Sequence, residues 1–224
     1  MAKRYVSIKD ETVRLFQNDF MEFWSRVHPS IPVILYLPLI VYLLYQAVTG
    51  ASLSTVVVVL LFFGGWFGWT LTEYLLHRFL FHFKPHGALQ QRIFYLFHGI
   101  HHDYPNDSRR LVMPPAVSIP LAVIFYAAFN ALMGKPYVQP FFAGFVFGYL
   151  CYDLIHYAVH HWPLNRGVAL YLRQYHIRHH FQDEDRSYGV SSPIWDYVFG
   201  TRPSLKEREQ QGSRENSAAV LQES

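Results

Sequence analysis

Histidine is the residue type with the most chemical potential in this sequence: the chain has 13, against 16 Asp plus Glu. They are grouped. His77 and His82 form HxxxxH, and His98, His101 and His102 form HxxHH. His156, His160 and His161 form HxxxHH, and His176, His179 and His180 form a second HxxHH. His86 and His28 stand apart and read as ordinary histidines. Residues i, i+3 and i+4 share a helical face, so each HxxHH can aim three imidazoles at one point. His156 and His160 are also i, i+4. His161 is turned about 100° from His160 and reads as a residue behind the ligands. The His77–His82 spacing fits no regular face, so the helix is expected to bend or end between them.

Ten candidate ligands result: His77, His82, His98, His101, His102, His156, His160, His176, His179 and His180. Ten imidazoles exceed the needs of one metal, and two tetrahedral zinc ions would use only eight. Two ions of higher coordination use all ten, at about five each, with a position left for oxygen or water. Imidazole suits iron, copper, nickel and zinc alike. Open positions beside a membrane favour two iron ions with O2 as co-substrate, zinc being a substitute that a purified protein can carry. Soluble di-iron bundles rely on carboxylates with ExxH motifs, which none of the four groups contains, so the expected centre is dominated by histidine. Glu73, four residues before His77, and Asp153, three before His156, are expected to accept the free ring N–H of a ligand. Both sit near the membrane end of a span, where an idle carboxylate is costly. The single cysteine, Cys151, excludes a disulfide framework, a Cys-based zinc site and a CxxC redox pair.

The elements that must position these residues are apolar. Of 224 residues 51% are hydrophobic and 16% charged, yet mean hydropathy is only +0.08, so very apolar stretches sit beside polar ones. Four stretches approach the ~20 residues that a bilayer demands: Ile31–Val48, Leu53 to about Leu76, Pro115–Met133, and Val138 to about Tyr157. The links Thr49–Ser52 and Gly134–Tyr137 are short enough for tight hairpins. The expected fold is an all-α integral membrane protein. Its four transmembrane helices form two hairpins, and both long polar regions build a cytosolic helical cap that holds the dimetal site. Of 19 Lys and Arg only Lys135 falls in the two short turns, which places both termini in the cytoplasm. Residues 1–19 carry no apolar core of a cleavable signal peptide. A formal charge of +3 without a basic block gives no reason to expect nucleic acid.

The chain divides into an N-terminal cytosolic or interfacial segment (1–30), a membrane domain (31–202) and a tail (203–224). Phe16, Phe20, Phe23 and Trp24 recur at helical spacing. Residues 9–27 are therefore expected to form an amphipathic helix, either lying on the membrane or packed on the cap. From Ser204 the composition turns to Glu, Gln, Ser and Arg, as in disordered tails.

At these motifs the sequence resembles the fatty acid hydroxylase superfamily of membrane di-iron oxygenases, and within it the fatty acid 2-hydroxylases. The carrying stretches are His77–His82 with Lys84-Pro85, His98–His102, Ser108–Pro115, His156–His161, His176–Phe181, and Tyr188-Gly189 with Trp195–Gly200. Arg14-Leu15-Phe16 with Asp19 is similar to the approach to the first span in that subgroup. The resemblance runs from about Arg14 to Thr201. It implies activation of O2 at two irons with two external electrons, and hydroxylation of the carbon next to an acyl carboxyl or amide. It further implies a lipid acyl substrate lying among the spans. Many relatives carry a cytochrome b5 domain with a His-Pro-Gly-Gly motif; here His28-Pro29-Ser30 is no such motif. A separate electron donor, cytochrome b5-like or ferredoxin-like, is therefore expected. The compact form is similar to bacterial members, which implies an inner membrane, or the endoplasmic reticulum in a eukaryote. Tyr157, Trp162 and Arg173 are expected to hold the head group. The competing readings are a sterol or carotenoid hydroxylase, a desaturase, and a metal transporter or sensor. A conduit would need polar residues deep in the spans, and Leu53–Trp69 offers only Ser54 and Thr55.

Overall fold

From Thr55 the chain continues Val-Val-Val-Val-Leu-Leu without a charge. In lipid such a backbone must satisfy its own hydrogen bonds, so it forms a helix. Ser54 caps it, its side chain accepting from the Val57 amide. The computed structural model describes residues 5–50 and 53–203. Those residues form α1 (Asp19–Trp24), α2 (Ser30–Tyr45), α3 (Thr55–Leu75), α4 (Ala88–Phe94), α5 (Ile100–Asp103), α6 (Pro115–Met133), α7 (Val138–His161), α8 (Gly167–Phe181) and α9 (Ile194–Val198). There is no strand among the described residues. The protein is all-helical, and four helical stretches are long and apolar enough to cross a membrane: Ser30–Gly50, Thr55–Phe81, Pro115–Met133 and Val138–His161. The first two end in π-helical turns, Gln46–Gly50 and Leu76–Phe81. Of the expected tail only Pro203 is described. Residues 204–224 and the linking pair 51–52 lie outside the described residues.

The fourth span, α7, is the hub. It is buried along most of its length and packs against α2, α3 and α6, whereas α6 turns most of its surface outward. Tyr36, Ile40 and Leu43 of α2, Trp69 of α3, and Phe142, Phe145, Val146 and Tyr149 of α7 form the apolar core. The α3–α7 crossing is backbone on backbone. A Cβ on Gly65 would fall on the Phe141 carbonyl, one on Gly144 on the Phe62 carbonyl, and one on Gly148 against Trp69. Small residues allow this approach, as they do between spans generally. The contact order also gives the direction: Phe62 meets Gly144 and Trp69 meets Gly148, so the two helices run the same way. Their C-terminal ends, carrying His77 and His156, therefore lie on one side of the bundle.

The N-terminal segment departs from expectation. Only Asp19–Trp24 is helical, not 9–27. Residues 6–18 are instead pinned along the loop that follows α5. The Val6 and Ser7 amides bond the Asp103 carbonyl, the Ser108 amide bonds Asp10, and Thr12 bonds Asp107 at 2.6 Å. Arg14 ties the Phe16 and Gln17 carbonyls and Asp19, and Asn18 caps α1. Phe20 and Phe23 remain largely exposed and Phe16 is half-buried; Phe16 and Phe20 both line a cavity.

Glu22 is the anchor of this segment. Buried, it accepts from the Leu15 and Phe16 amides and pairs with Arg26 and with buried Arg110 at 2.9 Å. Burial alone would raise its pKa. The Phe16 and Leu15 amides and the two guanidinium groups overcome that and hold it at about 2. The stability it contributes is whole above the ordinary carboxylate value and is lost as pH falls from there through about 2. Arg110→Met should cost on the order of 3 kcal/mol, because a buried carboxylate loses a partner. Thermal unfolding in detergent measures both effects. In Glu22→Gln the loss of stability between neutral and acid pH should shrink; an undiminished loss would remove Glu22 from this role.

Candidate metal centre

The π-helical turn at the end of α3 brings the first pair together. The His82 amide bonds the His77 carbonyl at 3.1 Å, a five-residue step that widens the turn. The two rings come to 5.0 Å between centroids, so the expected break in regular helix is a π turn. A second π-helical stretch, Tyr95–Gly99, carries His98 and leads into α5 with His101 and His102. His156 and His160 lie on the last turns of α7, and His176, His179 and His180 on the last turns of α8.

All ten candidates converge, but they do not divide box by box. His77, His82, His98 and His179 form one group, and His101, His156, His160, His176 and His180 another. Within each group the candidate ligand atoms lie within 4.8 Å of one another. His102 joins the first group through His98, Nε2 to Nε2 at 3.1 Å, and its ring lies 4.4 Å from that of His180. Each HxxHH is therefore split. Residues i and i+4 stay together (98 with 102, 176 with 180), while the i+3 residue, rotated about 60° from the first, crosses to the other group. The expectation that each HxxHH serves one point is corrected accordingly. Each group still receives five imidazoles.

The spacing tests whether metal fits. Nε2–Nε2 distances are 3.1 Å for His77–His98, 3.0 Å for His82–His179, 2.9 Å for His101–His156 and His160–His176, and 3.0 Å for His176–His180. At a metal–nitrogen distance of about 2.1 Å, two ligands at right angles lie about 3.0 Å apart, and two at a tetrahedral angle about 3.4 Å. The observed spacing matches the right angle and so favours ions of more than four ligands. His176 also faces two other Nε2 atoms at once, which a single ring N–H cannot satisfy. The residues fit metal ions. Burial, then repulsion among the rings, pushes His98, His101, His102, His176 and His180 well below the usual histidine range, and burial takes His179 down to about 4. At neutral pH they present lone pairs, as ligands must.

Two expected partners lie elsewhere. Glu73 does not receive His77; it accepts from the Val190 and Ser191 amides and the Ser191 hydroxyl. His77 Nδ1 donates instead to the Tyr188 carbonyl at 2.5 Å, and His179 Nδ1 to the Arg186 carbonyl at 2.7 Å. Neither carbonyl was legible beforehand, since a backbone oxygen has no residue signature. Asp153 does not receive His156 either. It is buried, faced by the Tyr149 hydroxyl and the Met113 amide without hydrogen-bonding geometry, and it lines a cavity. His161 stacks on Tyr157 at 4.6 Å. His86 and His28 make only local bonds at the surface.

That cavity, of about 860 Å³, runs from the histidines into the apolar region. Its walls are Leu15, Phe16 and Trp24 of the N-terminal segment, Leu80 and Phe97, and Val112–Val117 with Ile119–Leu121, with His98, His101 and His156 exposed to it. Tyr152, Asp153 and Arg110 are polar groups on its wall. Tyr157, Trp162 and Arg173, expected at the head group, do not line it. Trp162 is exposed, and Arg173 donates to the Val159 carbonyl at 3.3 Å.

Comparison with known proteins agrees with this geometry. A family model described as fatty acid hydroxylase matches residues 62–201. The chain is 39% identical over 198 residues to dihydroceramide fatty acyl 2-hydroxylase FAH1 of Arabidopsis thaliana, covering 88% of this chain and 82% of that one. It is 35% identical to the fatty acid 2-hydroxylase of Homo sapiens, covering 87% of this chain and 59% of the other. Among solved structures, full-length scs7p, with only its hydroxylase domain visible, aligns with a TM-score of 0.79 at 38% identity. That alignment covers 85% of this chain and 72% of that one. The matched region contains all ten convergent histidines and most of the α3–α7 crossing that brings them to one end of the bundle, and the chain belongs to the fatty acid hydroxylase family.

Proposed function

We propose that this chain is a membrane monooxygenase that hydroxylates the carbon next to the carbonyl of a fatty acyl chain, as a free acid or in a sphingolipid. The observation that carries the reading is the meeting of an apolar cavity with ten inward-facing imidazoles. Relatives named as fatty acyl and fatty acid 2-hydroxylases support it. His77, His82, His98, His102 and His179 would hold one metal ion, and His101, His156, His160, His176 and His180 the other. With two iron ions bound, these residues would support activation of O2, so that one oxygen atom would enter the product and the other, taking up two protons and two electrons from the donor, would leave as water.

The chain's own residues do the rest. Leu15, Phe16, Leu80, Phe97 and Val117 enclose the acyl chain and exclude water. His98, His101 and His156 end the cavity, so a lipid entering tail-first into the apolar part leaves its first carbons beside them. The polar wall at Arg110, Tyr152 and Asp153 faces the head. The two electrons would be delivered by a cytochrome b5-like or ferredoxin-like donor protein. The cap is cytosolic by the bias of Lys and Arg. The membrane is a bacterial inner membrane, or the endoplasmic reticulum if the source is a eukaryote, as are Arabidopsis thaliana and Homo sapiens, whose enzymes resemble it.

Lipid mass spectrometry of cells expressing the chain tests the reading. Acyl chains one oxygen heavier, with the oxygen on the second carbon, are expected; chains lighter by two hydrogens would make it a desaturase. Val117→Trp fills the cavity without touching a histidine. Product from long acyl chains should fall about tenfold or more, with metal content unchanged. Unaltered product would place the acyl chain elsewhere.

A further inference from the structure

The two histidine groups are supported differently. In the second group, Nδ1 of His160, His176 and His180 is buried without a hydrogen-bond partner, and that of His156 is faced only by the Leu111 backbone. In the first, His77 and His179 each donate Nδ1 to a backbone carbonyl, Tyr188 and Arg186, and both carbonyls belong to one short run between α8 and α9. That run is held by two buried carboxylates. Asp196 takes the Tyr188 and Gly189 amides at 2.9 and 2.8 Å, and Glu73 takes the Val190 and Ser191 amides at 2.7 and 2.8 Å. Four consecutive N–H groups are thus committed, two to each carboxylate. The run is also shaped against local preference. Ser187 has φ of 63°, a conformation rare outside glycine, and its amide bonds the Thr201 carbonyl at 2.8 Å. A Cβ on Gly189 would collide with the Ser192 carbonyl. The Thr201 hydroxyl in turn donates to Asp196 at 2.7 Å. A backbone so constrained is a fixed template rather than a loop.

We propose that residues 186–191 form a clamp that sets the ring orientation of His77 and His179, with Glu73 and Asp196 as its positioning residues. The two metal sites are then inequivalent: one has two ligands clamped from behind by a single braced run, and the other rests mainly on its helices, with the Leu111 backbone facing His156. Neither carboxylate touches a ligand histidine; both act through the amides of the run, whose carbonyls face the rings. This rests on the two-metal reading above.

The test uses the full chain in detergent, loaded with zinc, which imidazole accepts. It follows metal stoichiometry and release to a chelator. Two ions per wild-type chain are expected; none would sink the two-metal reading itself. In Asp196→Asn one ion should leave ~10–100-fold more readily, the effect typical of groups behind a ligand, while the other is unchanged. Ser191→Ala, which removes one hydroxyl from Glu73 and leaves every backbone bond in place, should weaken the same single ion by a smaller factor. His160→Ala should weaken the opposite one. A general loss of fold would release both ions together and would not reproduce this selectivity. Equal weakening of both ions in Ser191→Ala, or two unaltered ions in folded Asp196→Asn, overturns the clamp.

Discussion

His179→Ala and His101→Ala, one from each group, should each reduce 2-hydroxy product at least ~100-fold, the upper range for disturbing even a group behind a ligand. Each imidazole shares its Nε2 neighbourhood with others at about 3 Å, His179 with His82 and His101 with His156, so no remaining side chain can move into the vacated position. Both rings are buried, and alanine leaves a hole lined by the edges of other imidazoles. Lipid mass spectrometry together with metal content per chain checks the result. Retained turnover in either variant would remove that histidine from the centre. The same substitution at His86, which bonds only the Lys84 carbonyl and lies outside both groups, should change neither readout.

Gly144→Val should abolish folded enzyme. The added carbons would meet the Phe62 backbone, which cannot rotate away as a side chain tip can. The helices must separate, and a core substitution that forces backbone movement belongs to the class costing more than about 4 kcal/mol. The consequence reaches the site, because α3 delivers His77 and His82 while α7 delivers His156 and His160. Thermal unfolding and retention of monodisperse protein in detergent measure the effect. Gly64→Ala is the comparison. A Cβ there meets only the Phe141 ring at 3.9 Å, ordinary contact, and should be tolerated. Equal behaviour of the two variants would refute the close crossing.

Much of this protein is legible from its chain alone, for physical reasons that can be named. A bilayer admits few backbone solutions, so uncharged stretches such as Thr55–Leu75 had to be helices of spanning length. The histidines declare themselves because imidazoles repeated at i, i+3 and i+4 have few other uses. The break between His77 and His82 was readable as a misfit of helical period. The N-terminal segment was not readable: its aromatic spacing suggested one helix, but hydrogen bonds to the distant 103–110 loop compete successfully with helix formation.

Spacing along one helix sets the angles among its own side chains and nothing about their neighbours. The sequence by itself thus determined the all-helical membrane bundle, the ten histidines and their placement at one end. The division of those histidines into two interleaved groups of five required the rotation of α5, α7 and α8 relative to one another. Glycine contacts such as Gly65 with Phe141 set the α3–α7 depth, and only the folded packing supplies that. Likewise Glu73 and Asp153 were visible as carboxylates near ligands, yet their targets were decided by chain segments brought in from elsewhere. Tertiary structure sends Glu73 to amides 117 and 118 residues away, and it supplies His77 with a carbonyl, an atom that every residue carries and no sequence can single out.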